Sequence, residues 1–209
     1  ATLPSEVGEP LDLLSEDLHR FRTLVTDLLE ISRFDEGRAT AETEPVLVGE
    51  LVARAADAAA GRPVTAVHPS AEGLVVNADK RRLRLVVVNL VRNAETHGLT
   101  CRSVTVSATR RTVRIAVDDA GPGIPPERRG RVFDRFARGS SVHGGTGLGL
   151  AIASRNVGLH GGTIAVEDAP GGGARLVVEL PVDVRRPEPE AAPAVGRPPA
   201  GRRRRRPPA

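Results

Sequence analysis

The sequence predicts an α+β fold: a two-layer sandwich with helices on one face of a mixed sheet, preceded by one long coiled-coil-like helix. Three patterns in the 209 residues predict it. Apolar residues recur at helical spacing over 8–35. From residue 46 onward, helical stretches alternate with short period-two strands. Strands close in sequence flank tight turns at Thr109-Arg110-Arg111 and Pro170-Gly171-Gly172-Gly173. Apolar residues make up 40% of the chain and aromatics only 2%, so the core must be aliphatic.

The first element is the helix over 8–35. Leu11, Leu14, Leu18, Phe21, Val25 and Leu28 alternate spacings of three and four, an a/d seam with Glu16, Asp17, Arg20, Arg22 and Asp27 on other faces. Leu29 and Ile31 widen the stripe. So narrow a seam predicts packing against a second helix, upstream or on another subunit, rather than against the helix's own domain. Gly37 stops the helix, which sets a first segment at 1–36 and a linker at 37–45. Residues 46–60 start extended and become an Ala-rich helix. Short strands follow at 63–68 and 73–77. Asp79 caps a helix running to about Thr96. Residues 103–108 and 112–117 are alternating strands. Residues 120–147 form a long Gly-, Pro- and Arg-rich loop with a short helical piece. Residues 148–160 are helical, and 163–167 with 174–180 make the last hairpin. Residues 46–182 thus form one domain. Residues 183–209, mostly Pro, Arg, Ala and Gly, predict a disordered tail.

The formal charge of +4 suggests a nucleic-acid binder until it is divided by segment. From Asp183 onward stand eight Arg and three acids, while residues 1–182 hold 22 basic and 23 acidic side chains. The body carries no nucleic-acid signature. The Arg202–Arg206 run has the composition to lie near an anionic membrane, and a solvated tail is the simpler reading. No run of about 18 apolar residues exists, so no membrane-spanning helix is expected. The lone Cys101 cannot form an intrachain disulfide. A chain that begins Ala1-Thr2-Leu3 and contains no Met is expected to be a piece of a longer one.

Three motifs carry chemistry. In Asn89-Leu90-Val91-Arg92-Asn93-Ala94, two Asn at i and i+4 share one helical face. Leu83, Val87, Leu90 and Val91 take the buried side. Amide oxygens suit a hard cation that keeps much of its water, such as Mg²⁺; alone, the pair reads equally as surface amides. In Asp119-Ala120-Gly121-Pro122-Gly123-Ile124, a carboxylate at a strand end is followed by glycines that let backbone approach a flat ligand. Asp119 can accept from an exocyclic amine such as that of adenine; alone, it reads equally as a turn. Gly144-Gly145-Thr146-Gly147-Leu148-Gly149-Leu150 opens a helix, where backbone N–H groups and the positive dipole end suit phosphates. It is not a P-loop, which needs Gly-Lys-Ser/Thr, because Lys80 is the only lysine. The Arg-rich loop before it excludes a Rossmann βαβ unit.

In this order and spacing, the motifs resemble the N, G1 and G2 boxes of the sensor histidine kinase ATP-binding domain. Its Bergerat fold is shared with gyrase and Hsp90-type ATPases. Val132-Phe133-Asp134-Arg135-Phe136 is similar to the F box. The resemblance covers residues 45–182. Residues 8–35, ending Leu28-Leu29-Glu30-Ile31-Ser32-Arg33-Phe34-Asp35, are similar to the second helix of the dimerisation and phosphotransfer hairpin.

The resemblance implies ATP and Mg²⁺ as cofactors. It implies that Asn93 holds the metal and Asn89 faces the phosphates. Asp119, with Gly121 and Gly123, would bind the adenine end. Gly145, Thr146, Gly147, Leu148 and Gly149 would cradle the phosphates. Residues 125–144 would be a mobile lid, anchored by Phe133 and Phe136, from which Arg138 reaches the γ-phosphate. The implied reaction is transfer of the γ-phosphoryl group to a His and onward to an Asp of a response regulator. The implied partners are that regulator and a second copy paired through the hairpin helices. The implied location is the cytoplasmic portion of an inner- or plasma-membrane sensor.

Two departures stand out. Thr96 occupies the place where the family usually carries Lys or Arg. None of His19, His68, His97, His143 and His160 is followed by Glu, so the family's phosphoacceptor motif is absent and this stretch is not expected to phosphorylate itself. Two other functions stay open beside the kinase: a degenerate nucleotide-binding regulatory or dimerisation module, and an anti-sigma-type serine kinase of the same fold.

Overall fold

The structure, a computed structural model, describes residues 5–137 and 146–182. It opens with α1 (Ser5–Asp35). Gly37 stops α1 with φ 66°. Its N–H bonds Phe34 O while Arg38 N–H bonds Arg33 O, satisfying the last carbonyls. Then come β1 (Glu44–Leu47), α2 (Val48–Ala60), β2 (Thr65–Val67) and β3 (Val75–Ala78). The domain continues with α3 (Lys80–His97), β4 (Cys101–Ala108), β5 (Thr112–Asp119) and the single turn α4 (Pro126–Arg129). It closes with α5 (Gly149–Leu159), β6 (Thr163–Asp168) and β7 (Ala174–Pro181).

The main sheet has the order β2-β4-β5-β7-β6. β2 runs parallel to β4 and the other pairs are antiparallel, so the sheet is mixed as expected. On β5, Val113, Ile115 and Val117 are buried and meet the helical layer, where Leu83, Val86, Val87, Leu90 and Val91 of α3 are also buried. Each such aliphatic side chain contributes about 1.5–3 kcal/mol by leaving water. The alternate β5 position Arg114 faces outward and pairs with Glu167 at 2.7 Å and Glu179 at 2.9 Å across neighbouring strands. Two-layer architecture follows directly from that alternation.

One pairing is not foreshadowed by local pattern. The extended start of the 46–60 segment forms its own two-stranded sheet with β3, Val46 opposite Val76.

Helix α1 corrects an expectation. Its seam residues Leu18, Phe21, Val25 and Leu28 are indeed exposed, by 60%, 65%, 41% and 59%. Yet the last turns of α1 pack on the chain's own domain. Ile31 is buried with Leu148 and Ile152. Phe34 sits between Arg82 and Arg155, with guanidinium carbons 5.6 and 5.7 Å from the ring centre. Asp35 pairs with Arg135 and Arg155. The seam and this second stripe occupy different faces, which a count of a/d positions alone does not separate. Leu29, read as widening the stripe, is exposed.

Buried Arg82 ties the layers together. It donates to Thr40 O at 2.9 Å and to Asn156 Oδ1 at 2.8 Å, and pairs with Asp79 at 3.4 Å. Asp79 caps α3 as expected, its Oδ1 accepting from Arg82 N–H at 3.0 Å.

Candidate nucleotide-binding site

Helix α3 sets the length of the site. Its apolar stripe is in the core, which turns Asn89 and Asn93 toward the opposite, half-buried face. Gly149, at the start of α5, lies directly against Asn89: a Cβ there would stand 3.5 Å from Asn89 Oδ1. The first and third motifs are thereby brought together. Nine residues on, Gly98 closes α3 and abuts Asp119. At 1.5 Å per residue, the two contacts lie about 13 Å apart along the helix. One end offers a glycine loop at a helix start and the other a carboxylate.

The carboxylate end is built from main chain. Asp119 ends β5 and is only 6% exposed. Its Oδ1 accepts from Gly121 N–H at 2.9 Å and Ala174 N–H at 2.9 Å. Among the described residues no hydrogen bond engages Oδ2, which is the atom left to receive a ligand donor. A Cβ on Gly98 would stand 2.4 Å from Asp119 Cβ, and one on Gly173 would stand 2.2 Å from Asp119 O. A Cβ on Gly121 would meet Gly98 Cα at 2.9 Å. No side chain fits at these places. Gly123, with φ 81°, faces Gly173 O.

At the other end, Gly147 has φ 69° and its Cα lies close to Phe136. Phe136 N–H bonds Gly147 O at 2.9 Å. Thr146 Oγ accepts from Leu148 N–H at 3.1 Å and donates to Asp27 Oδ2 of α1 at 3.0 Å. Burial raises the Asp27 pKa, against the Thr146 hydrogen bond and the charge of Arg92. Asn89 Nδ2 is buried without a hydrogen-bond partner among the described residues, a donor whose burial calls for a ligand or water.

Among the described residues no cluster of three or more His, Cys, Asp or Glu could hold a metal alone. Mg²⁺ brought by phosphates needs few protein ligands and keeps its waters. The amide face of Asn89 and Asn93 fits such an ion.

The model of the histidine kinase-, DNA gyrase B- and HSP90-like ATPase family matches residues 78–184, just over half of the chain and all of this site. The chain belongs to that family. The AfsQ2 signal transduction histidine-protein kinase of Streptomyces coelicolor is 39% identical over 82% of this chain. The chain spans 32% of that relative's length. The solved ATP-binding domain of PrrB from Mycobacterium tuberculosis is 38% identical, with TM-score 0.54 over 68% of this chain and 98% of that one. Full-length ShkA, solved in complex with AMPPNP, is 31% identical, with TM-score 0.70 over 87% of this chain and 40% of that one.

Within this family fold, Asn89, Asp119, Gly121, Gly123, Thr146, Gly147, Leu148 and Gly149 fall into the two ends just described, and Asn93 lies between them on the face of α3 that carries Asn89. The Leu148 side chain is buried with Ile31 and Ile152, which leaves only its backbone to the loop. Arg138, Gly145 and the tail lie outside the described residues. Phe133 packs on the core as expected. Phe136 does not: it is 62% exposed with φ 60°, because the turn that hands its N–H to Gly147 O points its ring outward. Gly98, Gly173 and Ala174 were not foreseen as site residues. Gly98 lies just past the expected helix end and Gly173 in a hairpin turn, so only the tertiary contact with Asp119 marks them.

Proposed function

We propose that this chain is the ATP-binding catalytic portion of a sensor histidine kinase. Asp119 Oδ2 accepts from the adenine amine. Asn93 takes Mg²⁺, with Asn89 beside the phosphates. Residues 145–149 hold the phosphates with backbone N–H groups at the start of α5, and Arg138 answers the γ-phosphate charge. Positioning and electrostatics supply most of the catalysis in such transfers. The γ-phosphoryl group passes to a His on another helix, since no His here is followed by Glu, and then to a regulator Asp. The exposed seam of α1 pairs with hairpin helices in a homodimer. The whole protein is a membrane sensor with this part on the cytoplasmic side.

The observation that carries the reading is Asp119 fixed through Oδ1 with Oδ2 left open. Relatives named as sensor histidine kinases support it over the regulatory-module and serine-kinase alternatives. The test uses Mg-ATP with labelled γ-phosphate. The chain alone should bind nucleotide without stable labelling. A separate His-bearing hairpin mixed with it should become labelled. Labelling of the chain alone, or no nucleotide binding, refutes the reading.

A further inference from the structure

We propose that Arg102 is a positioning residue for the base-binding end of the site, acting through the β6–β7 turn. The inference rests on the nucleotide reading of Asp119.

Asp119 Oδ1 is held from two sides, and one of them is Ala174 N–H at the start of β7. From the β7 side that N–H is set by the ladder and by the Arg175–Asp118 ion pair at 2.6 Å, and from the other side by the turn before it. Gly171, Gly172 and Gly173 take φ 81°, 91° and 97°, a conformation open to glycine and closed to most side chains. Three glycines in succession bring no rigidity of their own. Two backbone bonds shape the turn, Gly172 N–H to Ala169 O at 3.0 Å and Ala169 N–H to Gly173 O at 3.1 Å. Neither ties it to Asp119's side of the sheet.

Arg102 does. Its Nη1 donates to Pro170 O at 3.2 Å and to Gly172 O at 3.0 Å. Arg102 is on β4, and β5 lies between β4 and β7, so the side chain crosses the end of β5 where Asp119 sits. The register explains how it gets there. Cys101 opposes Asp119 and Ser103 opposes Asp118. Arg102 is therefore the extra residue of a bulge, and bulges re-aim side chains. The chain of cause runs from bulge to Arg102, to the glycine turn, to Ala174 N–H, to the carboxylate whose second oxygen meets the ligand.

Arg102 touches neither Asp119 nor a bound base, so its loss should weaken only recognition of the amine. Binding of ATP and of purine riboside triphosphate, which carries hydrogen in place of the amine, is measured by calorimetry for the full chain and for Arg102→Ala. The variant should lose about three- to tenfold in ATP affinity, the size of one or two hydrogen bonds, and less than twofold for the amine-free nucleotide. Arg102→Lys, with a donor on a shorter reach, should recover part of the loss. Should Arg102→Ala unfold, Arg102→Gln is read by the same pair of ligands. Equal losses for both nucleotides, or undiminished ATP affinity, overturn the clamp alone. Absence of ATP binding by the unsubstituted chain overturns the nucleotide reading and the clamp with it.

Discussion

The Thr146 hydroxyl donates its one proton to Asp27 Oδ2 at 3.0 Å, which joins the glycine loop before α5 to the last turns of α1. Asp27 is only 8% exposed, and burial raises its pKa above the usual 3.8. The folded state therefore holds the proton more tightly than the unfolded one. This group's contribution to stability is fully present below pH 3.8 and is lost as pH rises through the raised folded value. Asp27→Asn removes the charge and keeps an oxygen for Thr146. Its melting midpoint at pH 7 should exceed that of the parent by about 1–3 °C. The gap should narrow as pH falls through the raised folded value toward 3.8. A lower midpoint at pH 7 would show that the charge, through Arg92, is worth more than its burial costs.

Asp119→Asn tests the carboxylate end. Gly121 and Ala174 both offer N–H groups to Oδ1, so an Asn must keep its oxygen there. Its NH₂ then faces the adenine amine, donor against donor. ATP affinity should fall at least about tenfold, or 1.4 kcal/mol, while urea unfolding changes little. Retained affinity would remove Oδ2 as the base contact.

Gly98→Ala should do similar damage by a different route. Gly98 has φ −98°, which Ala accepts, so the cost is steric and not conformational. The new methyl would stand 2.4 Å from Asp119 Cβ, displacing the carboxylate. We expect about 1–3 kcal/mol of lost stability together with weakened ATP binding. An unperturbed variant would mean that Asp119 tolerates displacement.

Asp79 is a structural counterpart. Its burial would raise the pKa, but hydrogen bonds from the Arg82 and Glu42 backbone and the Arg82 charge outweigh it, and the net shift is downward. Its contribution is present above pH 3.8 and lost as pH falls through the depressed folded value. Asp79→Ala should cost about 2 kcal/mol at pH 7 as a lost cap, measured by urea unfolding, and the difference from the parent should shrink in acid.

Cys101 is buried on β4, and burial with the nearby Glu95 pushes its thiol up to about 11. The thiolate is the reactive species. Iodoacetamide at pH 7.5 should leave Cys101 unmodified in folded protein and alkylate it in urea. Rapid modification without urea would show that β4 opens locally.

Much of this molecule can be read from local pattern. Asp79 as a cap, Gly37 as a stop, the two hairpins, and the order of the Asn, Asp-Gly and Gly motifs all depend on neighbours within a few residues. What escapes depends on distant ones. Val46 pairs with Val76 across the whole of α2. Ile31 is buried by α5, and Phe34 is partly covered by Arg82 and Arg155, all far along the chain, and nothing in the heptad seam announces that second stripe. Phe136, a large apolar residue in a polar loop, invites burial, but its left-handed turn sends it outward. The bulge at Arg102 is a mismatch between two strands and is visible in neither alone.

Gly98, Gly121 and Gly173 surround Asp119 with main chain. Such a wall presents the same atoms whatever side chains stand around it. What the wall itself requires is that these three positions remain bare.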